Sequence, residues 1–109
     1  KNYEHNWLLD YLIEDFTDTN KGLLEFIRIL KSGGNLILVF PDQIKYEKHC
    51  LQTGQPLNTH HVHKNMGNEF MLNCLKKIQG ISYEILFISN CDIDYNVVQI
   101  LKIQKNGVN

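Results

Sequence analysis

The sequence predicts a single α/β domain over residues 1–109, with parallel strands joined by helical crossovers and a carboxyl-terminal antiparallel hairpin. Three stretches carry that expectation. Leu23 to Asp42, LLEFIRILKSGGNLILVFPD, sets an amphipathic helix, a glycine pair and an unbroken apolar run in succession. Helical spacing then returns over Gly67–Gln79, after a long polar segment. Finally, the apolar runs Tyr83–Ser89 and Asn96–Lys105 flank the turn-forming NCDIDY of Asn90–Tyr95, as two antiparallel strands do.

The elements follow in order. Lys1–Asn6 is polar and reads as irregular. Trp7–Leu9 suits a short strand, but Tyr11, Leu12, Ile13 and Phe16 also continue it as a helical stripe, and periodicity does not separate the two. Phe16–Asn20 reads FTDTN, a cluster of capping residues, so Asp18 or Thr19 is the expected N-cap of the next helix. Leu23, Phe26, Ile27 and Leu30 form its apolar stripe. Arg28 and Lys31 suit the negative end of its dipole. Gly33 and Gly34 are expected to stop it. Leu36–Phe40 has no polar break, as in a strand covered on both faces of a parallel sheet. Pro41 has no N–H for a ladder and ends the strand.

Gln43–Asn65 follows as a long polar region. It opens with a turn of helix at Ile44–Cys50 and continues through TGQPLNTHHVHKN, which keeps no sustained period. A structureless loop of that length in so small a domain usually carries function. Over Gly67–Gln79, Phe70, Cys74 and Ile78 are spaced four apart beside Met71 and Leu75, and Gly80 supplies the stop.

Composition narrows the classes of function. Eleven basic and twelve acidic residues give a net charge of −1, which offers no basic field for nucleic acid. The apolar runs fall far short of the ~20 residues that span a bilayer, so no membrane partner is expected. No basic start precedes an apolar signal segment. Cys50, Cys74 and Cys91 are odd in number and widely spaced, which suits reduced thiols in a cytoplasmic protein.

The densest chemical cluster is Asn58-Thr59-His60-His61-Val62-His63. Histidine titrates near neutrality and can take a proton from a hydroxyl or amine, so a general-base role is open. A solvated loop is the plain alternative. His61 and His63 in extended chain could flank an ion, but the spacing matches no standard zinc pattern, and no metal is expected. Asp42 and Gln43 stand at a strand's carboxyl end, where open α/β sheets build their sites. Equally, Asp42 could simply cap the next turn. Cys74 and Trp7 read as packing residues.

The element order and these residues resemble the carboxyl-terminal half of a class I S-adenosylmethionine-dependent methyltransferase of the type 11 kind, a truncated Rossmann-like sheet. Leu12-Ile13-Glu14-Asp15-Phe16 matches the segment after that family's fourth strand. Arg28, Leu30, Lys31, Gly33 and Gly34 match its RxLKxGG approach to the fifth strand, Leu36–Phe40. Tyr83–Ser89 and Asn96–Lys105 match the closing sixth and seventh strands. A subgroup with PDQ and a His-bearing loop is the most similar, through Asp42, Gln43, Gly54, Asn58, His60 and His61.

The resemblance implies S-adenosylmethionine near Tyr11, Leu12 and Glu14, with Asp15 beside it. It implies a small-molecule acceptor near Gln43, Asn58 and His63, and chemistry from His60, His61 and Asp42. Two departures qualify it. The family's amino-terminal half has no counterpart, for no GxGxG occurs. Tyr11 also stands where the family has histidine. Methyl transfer depends on positioning, and half a pocket does not position. The isolated chain is therefore expected to be inactive, as a fragment, a remnant or one part of an assembly. If Trp7–Leu9 is the fourth strand, its outer edge is open, and the missing half or a second copy of the chain is expected to cover it. The alternative is a non-catalytic half-domain that dimerises or binds a protein through that edge.

Overall fold

The computed structural model describes residues 5–10, 12–89 and 95–106. It is a mixed α/β fold with a four-stranded open sheet and three helices. Strand β1, His5–Asp10, leads through a 3₁₀ turn at Ile13–Asp15 into helix α1, Thr19–Ile29. Strand β2, Leu30–Pro41, is followed by helices α2, Gln43–Thr53, and α3, Asn68–Lys76. Strands β3, Ile81–Ile88, and β4, Asn96–Lys105, close the chain.

The sheet order is β1-β2-β4-β3. β1 and β2 are parallel, with α1 between them in the chain. β4 is antiparallel to both β2 and β3. The expected closing hairpin is therefore present, but its second strand inserts between β2 and β3. Two of the three ladders are antiparallel, so the mainly parallel sheet read from the sequence is corrected.

Asp18 caps α1, accepting from the Lys21 backbone N–H at 3.2 Å. The helix buries Leu23 and Ile27 against the sheet and ends at Ile29, earlier than the sequence suggested. Leu30 and Lys31 already belong to β2, where Leu30 pairs with His5. The glycines act inside the strand rather than at a helix end. Gly33 takes φ +85°, a value glycine adopts without a Cβ clash, and the register with β1 shifts between His5 and Trp7. Gly34 lies so close to β1 that a Cβ on it would meet the carbonyl oxygens of Asn6 and Lys31 at 2.8 Å each.

Leu36, Leu38 and Phe40 alternate with half-buried residues and face the helices, with Val97, Leu101 and Ile103 of β4 on the same side. Met71, Cys74 and Leu75 of α3 and Ile13 of the 3₁₀ turn complete this core. Gln99 is a polar exception within it. Fully buried, it donates from Nε2 to Asn68 Oδ1 at 2.9 Å, which ties β4 to the start of α3.

The opposite face of the sheet is the second correction, because the described residues cover β2 on one side only. Leu9, Ile37, Ile100 and Phe87 stand opposite one another across all four strands, and Val39 pairs with Val98 beside them. None of these belongs to the core cluster or packs against it. Leu9 is 38% exposed, Phe87 50% and neighbouring Trp7 60%. No helix among the described residues is long and apolar enough to cross a membrane.

Gly34→Ala is expected to cost about 1–3 kcal/mol, because backbone oxygens rather than mobile side chains oppose the new methyl. Urea midpoints for the two chains measure it, and a loss of β1 amide protection in Gly34→Ala localises the damage to the β1–β2 ladder.

Candidate active-site cleft

The carboxyl ends of the parallel pair and the loop after α2 enclose a cleft of about 310 Å³, lined by Glu14, Pro41, Tyr46, Gln55, Asn58, His61, Tyr95 and Asn96. Each wall is positioned locally. On the β1 side, Asp10 is buried at the strand end, and its Oδ1 accepts from the Leu12 backbone N–H at 3.2 Å. Ile13 is buried in the core and anchors the 3₁₀ turn that carries Glu14. Burial raises the Asp10 carboxyl above its ordinary value. It also pushes Glu14 up to about 7, with repulsion from Asp15 and Asp10 adding to the effect. Glu14 Oε1 and Asp10 Oδ2 are buried with no hydrogen-bond partner among the described residues.

On the β2 side, Asp42 caps α2 and accepts from the Lys45 N–H at 3.1 Å. Its own N–H donates to Tyr95 O at 2.7 Å. The capping alternative therefore describes what this carboxylate does in the fold, and Asp42 does not line the cleft. Gln43 is buried in the first turn, and its backbone N–H donates to Met66 O at 2.8 Å, which ties the far end of the loop back to α2. Gln43, Tyr46 and Glu47 share one helical face.

Tyr46 organises the loop. Its hydroxyl accepts from the Asn58 N–H at 2.7 Å. Its ring lies 4.7 Å from the His61 ring and 5.0 Å from that of Tyr95. Asn58 Oδ1 accepts from the His60 N–H at 2.9 Å and tightens the turn.

The three loop histidines part company here. His60 is exposed outside the cleft. His61 lines it, with Nδ1 at 3.0 Å from Gln43 Oε1. His63 turns the other way, and its Nε2 lies 2.9 Å from Phe16 O and 3.1 Å from Thr19 Oγ1, with its ring 5.2 Å from that of Phe70. A carbonyl oxygen only accepts, so His63 Nε2 carries the proton and pins the loop to the start of α1. This also separates His63 from His61, against the suggestion that the two flank an ion. The metal-type donors that do converge, among the described residues, are Glu14, Asp15 and His61, with one ligand atom of each within 4.8 Å of the others. Two carboxylates and an imidazole suit proton transfer or a divalent cation.

Of the residues singled out from the sequence, the cleft brings together Glu14, Asn58 and His61, with Gln43 behind His61. It does not include Asp42, His60 or His63. Leu12 is exposed at the start of the 3₁₀ turn. Tyr11, Cys91 and most of the Asn90–Tyr95 turn lie outside the described residues. Sequence reasoning missed Asp10 and Tyr46. The four-residue spacing of Tyr46 and Cys50, both buried on α2, was a usable signal for Tyr46. Compared with known proteins, the chain matches no family model and no curated protein.

The unfolded chain releases the Glu14 proton near 4.5, whereas the folded chain holds it to about 7. The stability this group contributes is therefore complete below 4.5 and is lost as pH rises through 7. Glu14→Gln should flatten the pH dependence of unfolding across that window, as read by urea midpoints at a series of pH values. His63→Ala removes the donor to Phe16 O and should cost about 1–3 kcal/mol in the same assay.

Proposed function

We propose that this chain is the cofactor-and-acceptor end of an S-adenosylmethionine-dependent methyltransferase of the Rossmann-like class, acting on a small molecule with a hydroxyl or amine. One observation carries the reading. Glu14, from the segment after β1, and His61, from the loop beyond α2, are 47 positions apart in the sequence, yet their ligand atoms come within 4.8 Å. They meet at the carboxyl ends of two parallel strands, where open α/β sheets take their ligands. Those are the segments through which the sequence resembles that family.

The residues present fit the cofactor in part. Glu14 Oε1 is buried without a donor among the described residues, and an amine or hydroxyl of a bound molecule would supply one. Leu12, exposed at the start of the same turn, would offer that ligand an apolar contact. When bound, S-adenosylmethionine supplies an electrophilic methyl group. The chain's own part is to hold that ligand against Leu12 and Glu14 and to manage the acceptor's proton at His61.

The bare sheet face supports incompleteness. Among the described residues, β1 is paired on one side only, and the row Leu9, Ile37, Ile100 and Phe87 has no covering layer. An added parallel strand with its helices would cover both. The same observation favours a second reading, a non-catalytic half-domain that dimerises through this edge and face.

A reading frame that encodes a strand, glycine-rich turn and helix upstream of Lys1 is expected. The product of that full frame should bind S-adenosylmethionine in a calorimetric titration, and Glu14→Ala should weaken binding by roughly tenfold or more, the loss of about one charge-assisted hydrogen bond. A frame without such a segment, together with no heat of binding at concentrations where the chain self-associates, rejects the enzyme and leaves the half-domain.

A further inference from the structure

Gln43 stands between two partners with opposite demands. Its Nε2 lies 3.0 Å from Glu47 Oε2, one helical turn along α2, and its Oε1 lies 3.0 Å from His61 Nδ1. A carboxylate has no proton to give, so the amide must turn its NH₂ toward Glu47. That leaves the amide oxygen facing the imidazole. An amide oxygen cannot donate, so Nδ1 must carry the hydrogen. The assignment follows from the chemistry of the three groups. A neutral imidazole has a single N–H, so Nε2 keeps its lone pair. The bond to Gln43 is the one side-chain hydrogen bond His61 makes among the described residues. Tyr46, on the same face of α2, packs its ring against the imidazole and limits its rotation.

We propose that Glu47 and Gln43 form a positioning relay that fixes His61 as the Nδ1–H tautomer, so that Nε2 is the proton acceptor for a hydroxyl or amine bound in the cleft. The acceptor's O–H or N–H bond breaks, a new N–H bond forms at Nε2, and the electron pair stays on the acceptor atom, which becomes the better nucleophile. The resulting imidazolium donates to Gln43 Oε1 from Nδ1, and Glu47 polarises that amide from the other end. The choice of acceptor rests on the methyltransferase reading; the tautomer does not. Two residues on, His63 carries its proton on Nε2 because it faces a carbonyl with that nitrogen. One loop thus holds two histidines of opposite tautomer.

Long-range nitrogen–proton NMR of the ¹⁵N-histidine-labelled chain at alkaline pH tests this. His61 should report Nδ1–H and His63 Nε2–H in the same spectrum. Glu47→Ala changes an exposed residue and leaves the core intact. It should shift His61 toward the Nε2–H form that free imidazole side chains favour in water, and Gln43→Leu should do so more completely. The double exchange Gln43→Glu with Glu47→Gln reverses the partners while keeping donor facing acceptor, and should restore Nδ1–H. A wild-type His61 in the Nε2–H form overturns the relay, and so does an unchanged tautomer in folded Glu47→Ala. Because this spectrum needs no cofactor, its result stands apart from the titration with S-adenosylmethionine, and either can fail without the other.

Discussion

The antiparallel ladder between β2 and β4 is the constraint on which the rest of the molecule depends. It runs from Gly34 opposite Ile103 to Pro41 opposite Asn96, and among the described residues β2 is the sole strand that joins β1 to the others. Its register decides which side chains reach the core. A slip of one residue would turn Leu36, Leu38 and Phe40 away from the helices and bring Ile37 and Val39 under them. The register also sets the far end. With Pro41 opposite Asn96, the next N–H, that of Asp42, meets Tyr95 O, and α2 starts from that point. The cleft inherits its position from a ladder made entirely of main chain.

Much of this was legible in the sequence, and the limits have physical causes. The run Leu36–Phe40 announced itself as strand because continuous branched and aromatic residues over so short a length fit little else. Asp18 was readable as a cap for the same local reason. Leu30 and Lys31 were misread because Leu30 satisfies a helical period as well as a strand's alternation, and what decides between them is His5, far away in the chain. The final hairpin could be read from its two runs. Which of its strands would sit beside β2 could not, since local pattern names a strand's partner across a turn and not its other neighbour. Gln99 shows the same limit: a glutamine in an alternating strand gives no sign of the buried amide pairing it makes with Asn68.

The candidate site shows what composition conceals. The histidine-rich loop drew notice as a unit, yet the fold gives its three imidazoles three different fates. What distinguishes them is the group each one faces: solvent for His60, the Gln43 amide for His61, and the Phe16 carbonyl for His63. Tyr46 is the hinge of that arrangement, because its hydroxyl holds the Asn58 turn while its ring supports His61. Glu14 contributes the opposite lesson. Its place in the cleft depends on its neighbour Ile13, whose burial fixes the turn, and the resulting desolvation makes an ordinary carboxyl titrate near neutrality.

The uncovered row Leu9, Ile37, Ile100 and Phe87 has a calorimetric consequence. Apolar area that already meets water in the folded chain adds nothing to the heat capacity gained on melting. The increment per residue should therefore fall below the ~12–15 cal/mol/K usual for globular domains, and the stability curve should be a broad, shallow arch in temperature. Laying any apolar layer over the row would steepen that arch, because melting would then have to wet the row anew.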